Sequence, residues 1–537
     1  MFILLSIIVV MLLLLKSKKS LHMLQQNLYN ENNRYIKWNI RNISQFLNLE
    51  IIIVILSFIA LFVMYDMKFY SLIIKIAICI IYLVRIFTLR NSMKKEKTKK
   101  PLVYTKRIKR LIFTTTILYL VIFALMFLNR YEEKTMWLLV CILVVSTYLN
   151  ALVIFIANII NKPVEKLVYN YYKTKAQNKL KSMSNLKIIG ITGSYGKTSS
   201  KNILSDILNI KYNALPTPRN LNTYNGLIMT VNNNMDKFTE IFIAEMGAYV
   251  KGEIKGLCKL VKPQYGILTR IGTAHLESFG SEQNIVDGKF ELIESLPSDG
   301  VGVLNKDDPK QVSYNLKNDC KILWIGIDEE DVDVRATNIK CSYKGTTFDV
   351  ILKNDDKKYK FETKLLGNHN VYNILAGIAL GLYFGIDMDD LQSAVKGVKQ
   401  VEHRLELKKL GNFYMIDDAY NSNPTGAASA LNVLSMMPGV KIVVTPGMIE
   451  LGKKEDEYNE IFGEQIADVA DYVVLVGEEK TKPILQGIKS KNFDLDKVVV
   501  YNDVREAYKF INTISSNTKE EVYALFENDL PDTYNEK

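Results

Sequence analysis

The sequence predicts a multi-domain chain: N-terminal transmembrane α-helices, then an α/β P-loop central domain, then a C-terminal Rossmann-like α/β domain. Three observations predict it. Long apolar runs crowd the first 160 residues and are rare afterwards. From Lys187 onward, short apolar strands alternate with segments of helical spacing. The stretch Lys187-Ile-Ile-Gly-Ile-Thr-Gly-Ser-Tyr-Gly-Lys-Thr198 joins such a strand to such a helix through a glycine-containing loop. At 537 residues the chain exceeds one hydrophobic core. The expected divisions are 1–165 for about five membrane helices with basic loops, 166–185 for a linker, 186–400 for the central domain and 401–537 for the last.

Five runs approach the roughly 20 apolar residues that cross a bilayer: Phe2–Leu15, Phe46–Tyr65, Phe69–Leu89, Leu111–Leu128 and Met136–Ile160. Lysines rather than small residues follow the first run, which predicts an uncleaved anchor. Arg90–Arg110 carries ten Lys/Arg and one acid, while the alternate loops are short and nearly neutral. That asymmetry puts both basic loops inside, and predicts a multi-pass protein of the cell membrane with its catalytic domains on the cytoplasmic side. Lys75 and Arg85 interrupt the third run; they either snorkel to the interfaces or hold an anionic lipid or lipid-linked phosphate. Five cysteines without paired spacing fit free thiols in a reducing compartment. The net charge of +11 comes with no nucleic-acid motif, so no nucleic-acid partner is read from it.

The loop Thr192-Gly-Ser-Tyr-Gly-Lys-Thr198, with Ser199 following, is a short variant of the phosphate-binding loop. Loop and helix N-terminal N–H groups are expected to face phosphate oxygens. Thr192, Gly193, Ser194, Tyr195 and Gly196 form the cradle. Lys197 reaches the outer phosphates, and the Thr198 hydroxyl is placed for Mg²⁺. The strand Thr239–Ala244 ends in Glu245, where an acid serves as a Mg²⁺ ligand. The strand Tyr265–Arg270 leads to His275 and Glu277 at the same sheet edge, where ligands of open α/β sheets collect. Lys289 and Glu291, on an expected helix, read alone as solvated charges. Strands are expected at 321–327, 345–353 and 357–365. The last domain is expected to hold strands at Phe413–Ile416, Lys441–Thr445, Tyr472–Val476, Val498–Tyr501 and Val522–Phe526, with helices between them.

In this order, Thr192–Thr198, Glu245-Met-Gly247, Gly272-Thr-Ala-His-Leu-Glu277, Leu304-Asn-Lys-Asp-Asp-Pro309, Gly367-Asn-His-Asn-Val-Tyr-Asn373, His403-Arg404 and Asp417-Asp-Ala-Tyr-Asn-Ser-Asn-Pro424 resemble the Mur ligases. These are ATP-dependent amide-forming enzymes of cell-wall precursor synthesis. The last string and Glu450-Leu-Gly452 resemble most the branch that adds D-alanyl-D-alanine to a muramoyl tripeptide. The resemblance implies ATP and Mg²⁺ as cofactors. It implies that Lys197 and Thr198 hold phosphates and metal, that Glu245 and His275 ligate Mg²⁺, and that Lys289 is a carbamylated lysine able to hold a second Mg²⁺. It implies further that Asn305 and Asn370 lie near adenine, that Arg404 reaches ATP phosphate and that Asp418 binds the ribose. Lys197, Lys289, His275 and Arg404 are thus the expected catalytic residues. Apolar runs occupy the place of the family's UDP-sugar domain, and Leu525-Phe-Glu-Asn-Asp-Leu-Pro-Asp532 stands where a Lys-Gly-Ser-Arg-like string is usual. Two other readings compete: a ligase acting on another polymer or a lipid-linked intermediate, and a membrane ATPase or transporter.

Overall fold

The computed structural model describes residues 2–41, 71–95, 101–128, 132–353, 355, 357–419, 422–449 and 451–529, with scattered positions between 52 and 59. It divides into two compact units, Met1–Tyr171 and Tyr172–Lys537. The first unit is helical. Helices Phe2–Gln26, Ser71–Lys95, Lys106–Leu128 and Glu133–Tyr148 contribute its described core, including Leu5, Val9, Leu13, Tyr82, Val140 and Val144. Asn150, which opens a further helix, Asn150–Ser182, ties it to the first by accepting from Ser20 Oγ at 2.7 Å and donating to Ser17 Oγ at 3.0 Å. Arg110 grips Glu165 in a two-pronged pair at 2.7 and 2.8 Å.

Of the five expected crossing helices, one lies mostly outside the described residues and four can be compared with the structure. Among the described residues two helices are long and apolar enough to cross a membrane, Ile76–Met93 and Lys106–Leu128, or three if the bent pair Leu138–Tyr148 and Asn150–Ser182 is one span. The apolar part of the first helix stops at Lys16, after roughly 20 Å at 1.5 Å per residue, short of a ~30 Å hydrocarbon core. The run Met136–Ile160 is broken by a 94° bend between those two helices. The run Phe46–Tyr65 lies mostly outside the described residues, as do the Lys75 side chain and residues 96–100 of the basic loop.

The second unit holds two sheets. The larger has nine strands in the order β2-β3-β1-β4-β5-β6-β7-β8-β9. These are β1 Lys187–Thr192, β2 Ala214–Pro216, β3 Ile241–Glu245, β4 Tyr265–Leu268, β5 Val301–Asn305, β6 Lys321–Gly326, β7 Val334–Ser342, β8 Gly345–Leu352 and β9 Tyr359–Thr363. The first seven run parallel, and β8 and β9 extend the sheet antiparallel. Strand β1 is buried from Ile188 to Thr192, as a central parallel strand covered on both faces must be. Helices Lys197–Leu208 and Asn368–Tyr383 pack Ile203, Leu204, Ile207, Ile374 and Ile378 into the core on one face. Chain order reverses beside β1, with β3 on one side and β4 on the other. A crevice therefore opens past their carboxyl ends.

The smaller sheet runs β10-β11-β15-β12-β13-β14. Its strands are β10 Glu406–Leu410, β11 Phe413–Asp418, β12 Val440–Thr445, β13 Tyr472–Val476, β14 Val498–Tyr501 and β15 Val522–Glu527. Only β10 is antiparallel. The register sets Asp418 beside Glu527 at the carboxyl ends of β11 and β15.

Candidate active site

The phosphate loop leaves β1 at Thr192 and turns on Gly193, whose φ is +151°. A β-carbon there would lie 1.9 Å from Thr269 Oγ1, so the close approach requires glycine. Thr269 donates to the Tyr195 carbonyl at 2.6 Å. The Ser194 and Tyr195 amides donate to the Arg270 carbonyl at 3.0 and 3.4 Å. Those two N–H groups therefore brace the loop against the segment after β4 rather than facing a phosphate. The helix that starts at Lys197 has no intrahelical acceptors for its first-turn amides. Residues 194–199 line a cavity of about 230 Å³ together with Asn222, Glu245, His275 and Arg404.

Lys197 folds onto its own loop, donating to the Gly193 and Ser194 carbonyls at 2.7 and 3.1 Å. Burial pushes its pKa down to about 8, with Glu245 opposing and Arg404 adding to the fall. Glu245 ends β3 and is 1% exposed. Its Oε1 accepts from the Thr198 hydroxyl at 3.1 Å and from the Asn222 amide at 3.0 Å. Its Oε2 faces the Lys201 ammonium at 3.0 Å, both side chains being 1% exposed. That contact is an ion pair without hydrogen-bond alignment, and Oε2 has no hydrogen-bond donor among the described residues. A buried carboxylate oxygen of this kind, next to a threonine hydroxyl, suits a hard divalent cation.

His275 stands in left-handed backbone, φ +62°, with its ring 4.5 Å from that of Tyr249. Burial lowers its pKa to about 4, helped by Lys197 and then Lys289. The imidazole is therefore neutral at pH 7 and keeps a nitrogen lone pair for a metal. Lys289, on helix Glu282–Glu294, is 1% exposed. Burial and then Lys197 lower its pKa to about 7, against the pull of Glu253 and Glu291. Those two acids bond to backbone: Glu253 accepts from Tyr249 N at 2.7 Å, and Glu291 from Gly252 N at 2.6 Å and Lys255 N at 2.9 Å. A lysine near pH 7 holds a large neutral fraction, and the neutral amine is the form that reacts with CO₂. Among the described residues no three His, Cys, Asp or Glu side chains cluster as a metal site. Thr198, Glu245 and His275 converge on one cavity. Lys289 lies near enough to His275 and Lys197 for its charge to act on both. The Glu277 side chain lies outside the described residues.

A nitrogen-detected NMR titration of His275 is expected to give a midpoint near pH 4 rather than 6.5. The midpoint should rise in Lys289→Ala, because a repelling cation is removed; no rise would refute the coupling.

Arg404 also borders a second cavity of about 210 Å³, with Asn305, Asn368, His369, Asn373 and Asp418. Asn305 ends β5 and accepts from Asp307 N at 3.0 Å through its side-chain oxygen. Asn370 is buried with its amide donating to the Leu366 carbonyl at 2.9 Å; Asn368, His369 and Asn373 line the cavity instead. Burial raises the Asp418 pKa to about 6, against Arg404 and the Leu405 amide at 3.2 Å. Glu527 beside it is 1% exposed, and burial followed by the Asp418 charge raises its pKa well above the usual carboxylate range. Two acids this close share a proton. Ser422 donates to Glu527 Oε1 at 2.6 Å, and Asn528 donates to the Gly447 carbonyl at 2.6 Å. Sequence reasoning did not single out Ser422, Glu527 or Lys201. The rule that picked Glu245, an acid at the carboxyl end of a parallel strand, also describes Glu527.

Two family models match this chain: the Mur ligase middle domain over residues 191–381, and the Mur ligase glutamate ligase domain over 403–519. The UDP-N-acetylmuramoyl-tripeptide–D-alanyl-D-alanine ligase of Bacillus subtilis (strain 168) is 32% identical over 335 residues, covering 62% of this chain and 71% of that one. The enzyme of the same name from Escherichia coli (strain K12) is 30% identical, over 55% of this chain and 65% of its own length. Among solved structures, a MurF from Acinetobacter baumannii superposes with a TM-score of 0.60 at 27% identity, covering 67% of this chain and 78% of that one. MurF ligase from Thermotoga maritima in complex with ADP gives 0.59 at 26% identity, over 67% and 80%. These relatives overturn the expected location. They are ligases, two of them named for a UDP-linked and hence water-soluble tripeptide. Among the described residues two helices, or three if the bent pair is one span, reach the length of a membrane crossing.

Proposed function

This chain belongs to the Mur ligase family of ATP-dependent amide-forming enzymes, and from that premise we propose that it adds D-alanyl-D-alanine to a UDP-linked muramoyl tripeptide. ATP and Mg²⁺ are its cofactors. The central domain, 186–400, and the C-terminal domain, 401–537, close over the nucleotide. The observation that carries this reading is the meeting of Lys197, Thr198, Glu245 and His275 with Arg404 around one cavity.

Joining a carboxylate to an amine in water is unfavourable without coupling. A carboxylate oxygen of the tripeptide attacks the γ-phosphorus, the bond to the ADP oxygen breaks, and an acyl phosphate forms. The amine nitrogen then attacks the acyl carbon. Phosphate leaves with the C–O electron pair and takes up the proton that the amine gives up. Lys197 and the first-turn amides meet the charge that spreads over the phosphoryl oxygens. Mg²⁺, when bound, neutralises phosphoryl charge as a Lewis acid. Thr198, Glu245 and His275 would hold it, and a carbamylated Lys289 would hold a second Mg²⁺. Asp418 takes the ribose, and its shared proton with Glu527 lets the pair both donate to and accept from hydroxyls.

The test is the full chain with ATP, Mg²⁺, UDP-muramoyl-tripeptide and D-alanyl-D-alanine, read by phosphate release and product mass. The pentapeptide product, with no phosphate release when the dipeptide is omitted, supports the reading. ATP hydrolysis indifferent to both substrates sinks it. A second reading keeps the chemistry and changes the acceptor. The family match begins at residue 191, and residues 1–171 form a unit of their own.

A further inference from the structure

A cavity of about 570 Å³ lies on the other side of Thr198. Thr198 and Arg404 border both it and the phosphate cavity, so the two are adjacent. Lys201, Arg219 and Lys399 add cations to its wall, against Asp206 and Glu402. Asp206 is tied to the Lys399 amide at 3.0 Å, and Lys201 to Glu245 at 3.0 Å. Arg219 is exposed on this wall and stands in left-handed backbone, φ +49°. Such backbone strains any side-chain-bearing residue and suits glycine. The buried Lys201 ammonium holds the conformation by donating to the Arg219 carbonyl. One ion pair thus anchors Glu245 at the phosphate cavity and sets Arg219 at the wall of its neighbour.

We propose that this cavity seats the end of the acceptor peptide, and that Arg219 determines affinity by binding a carboxylate of the acceptor other than the reacting one. The assignment rests on the reading of the chain as a peptide-extending ligase. A reacting carboxylate at Thr198 puts the neighbouring residues of its peptide within one residue length, about 3.5 Å, of the cavity. The diphosphate of a UDP-linked acceptor lies beyond the whole tripeptide, roughly 10 Å or more away. A guanidinium fits a carboxylate with two parallel hydrogen bonds, which a lysine does not reproduce.

The test compares wild type with Arg219→Gly and Arg219→Lys. In Arg219→Gly the KM for UDP-muramoyl-tripeptide should rise about ten- to hundredfold. The kcat and the KM for ATP should stay within about twofold, and Tm should hold or rise as left-handed strain is relieved. Arg219→Lys should recover only part of the affinity. An acceptor with its non-reacting carboxylates amidated should cost wild type the same factor and leave Arg219→Gly indifferent. An unchanged acceptor KM in Arg219→Gly overturns the proposal. So does competition by UDP alone that weakens in the variant, since that assigns the arginine to a diphosphate. If wild type makes no product with this substrate pair, the functional reading fails separately. Calorimetric titration of the tripeptide freed of its UDP-sugar then decides: weaker binding to Arg219→Gly supports the cavity assignment, and equal binding refutes it.

Discussion

Lys197→Met is expected to lower kcat by about a hundred- to a thousandfold, the loss typical of one charge-stabilising donor removed from a preorganised site. The reason is positional. Lys197 opens the helix whose N-terminus faces the phosphate cavity, and its Nζ lies 2.7 Å from the Gly193 carbonyl. Burial lowers its pKa only to about 8, so the ammonium is still mostly charged at pH 7. A phosphate nearby stabilises that charge further. Lys197→Arg should not rescue, because a planar fork replaces a point charge in a loop of fixed width. Phosphate release under saturating ATP measures the effect, with Tm as the folding control. Activity within tenfold of wild type would remove Lys197 from the reaction.

The second large effect is expected at Lys289. Lys289→Ala should lose about a hundredfold in activity and regain part of it when acetate or formate is added, because a small carboxylate replaces the lost carbamate. Wild-type activity should fall in CO₂-depleted buffer. Carbamate formation needs the neutral amine, whose pKa is lowered to about 7. Loading should therefore decline as pH drops through 7 and hold above it. For an ordinary lysine near 10.4 the decline would come far higher. Full activity of the unsupplemented alanine variant would eliminate the carbamate.

The architecture around the phosphates was legible because its signals are local. A strand, a glycine loop and a Lys-Thr pair fix β1 and its helix within a dozen residues, and the acid ending β3 follows the same sheet-edge rule. Strand β7, Val334–Ser342, went unread: its pairing with β8 shifts register between Thr337 and Lys340, which breaks the alternation a half-buried strand shows. The apolar run Met136–Ile160 read as one crossing because hydropathy carries no information about the bend at Leu149. Lys201 carries no local signal on its helix; its pairing with Glu245, 44 positions on, depends on the packing of that helix over β3. Glu527 and Ser422 are 105 positions apart, and only the order of the smaller sheet brings them to 2.6 Å. The bracing of the phosphate loop on Arg270 is likewise a long-range contact that no loop pattern encodes.

The central claim is that a carboxylate is activated on ATP phosphate before the amine attacks. It is tested most directly by labelling both oxygens of the acceptor carboxylate with ¹⁸O and weighing the phosphate released by the full chain. Activation transfers one ¹⁸O to each phosphate. Unlabelled phosphate, with amide product forming at the normal rate, would contradict the account.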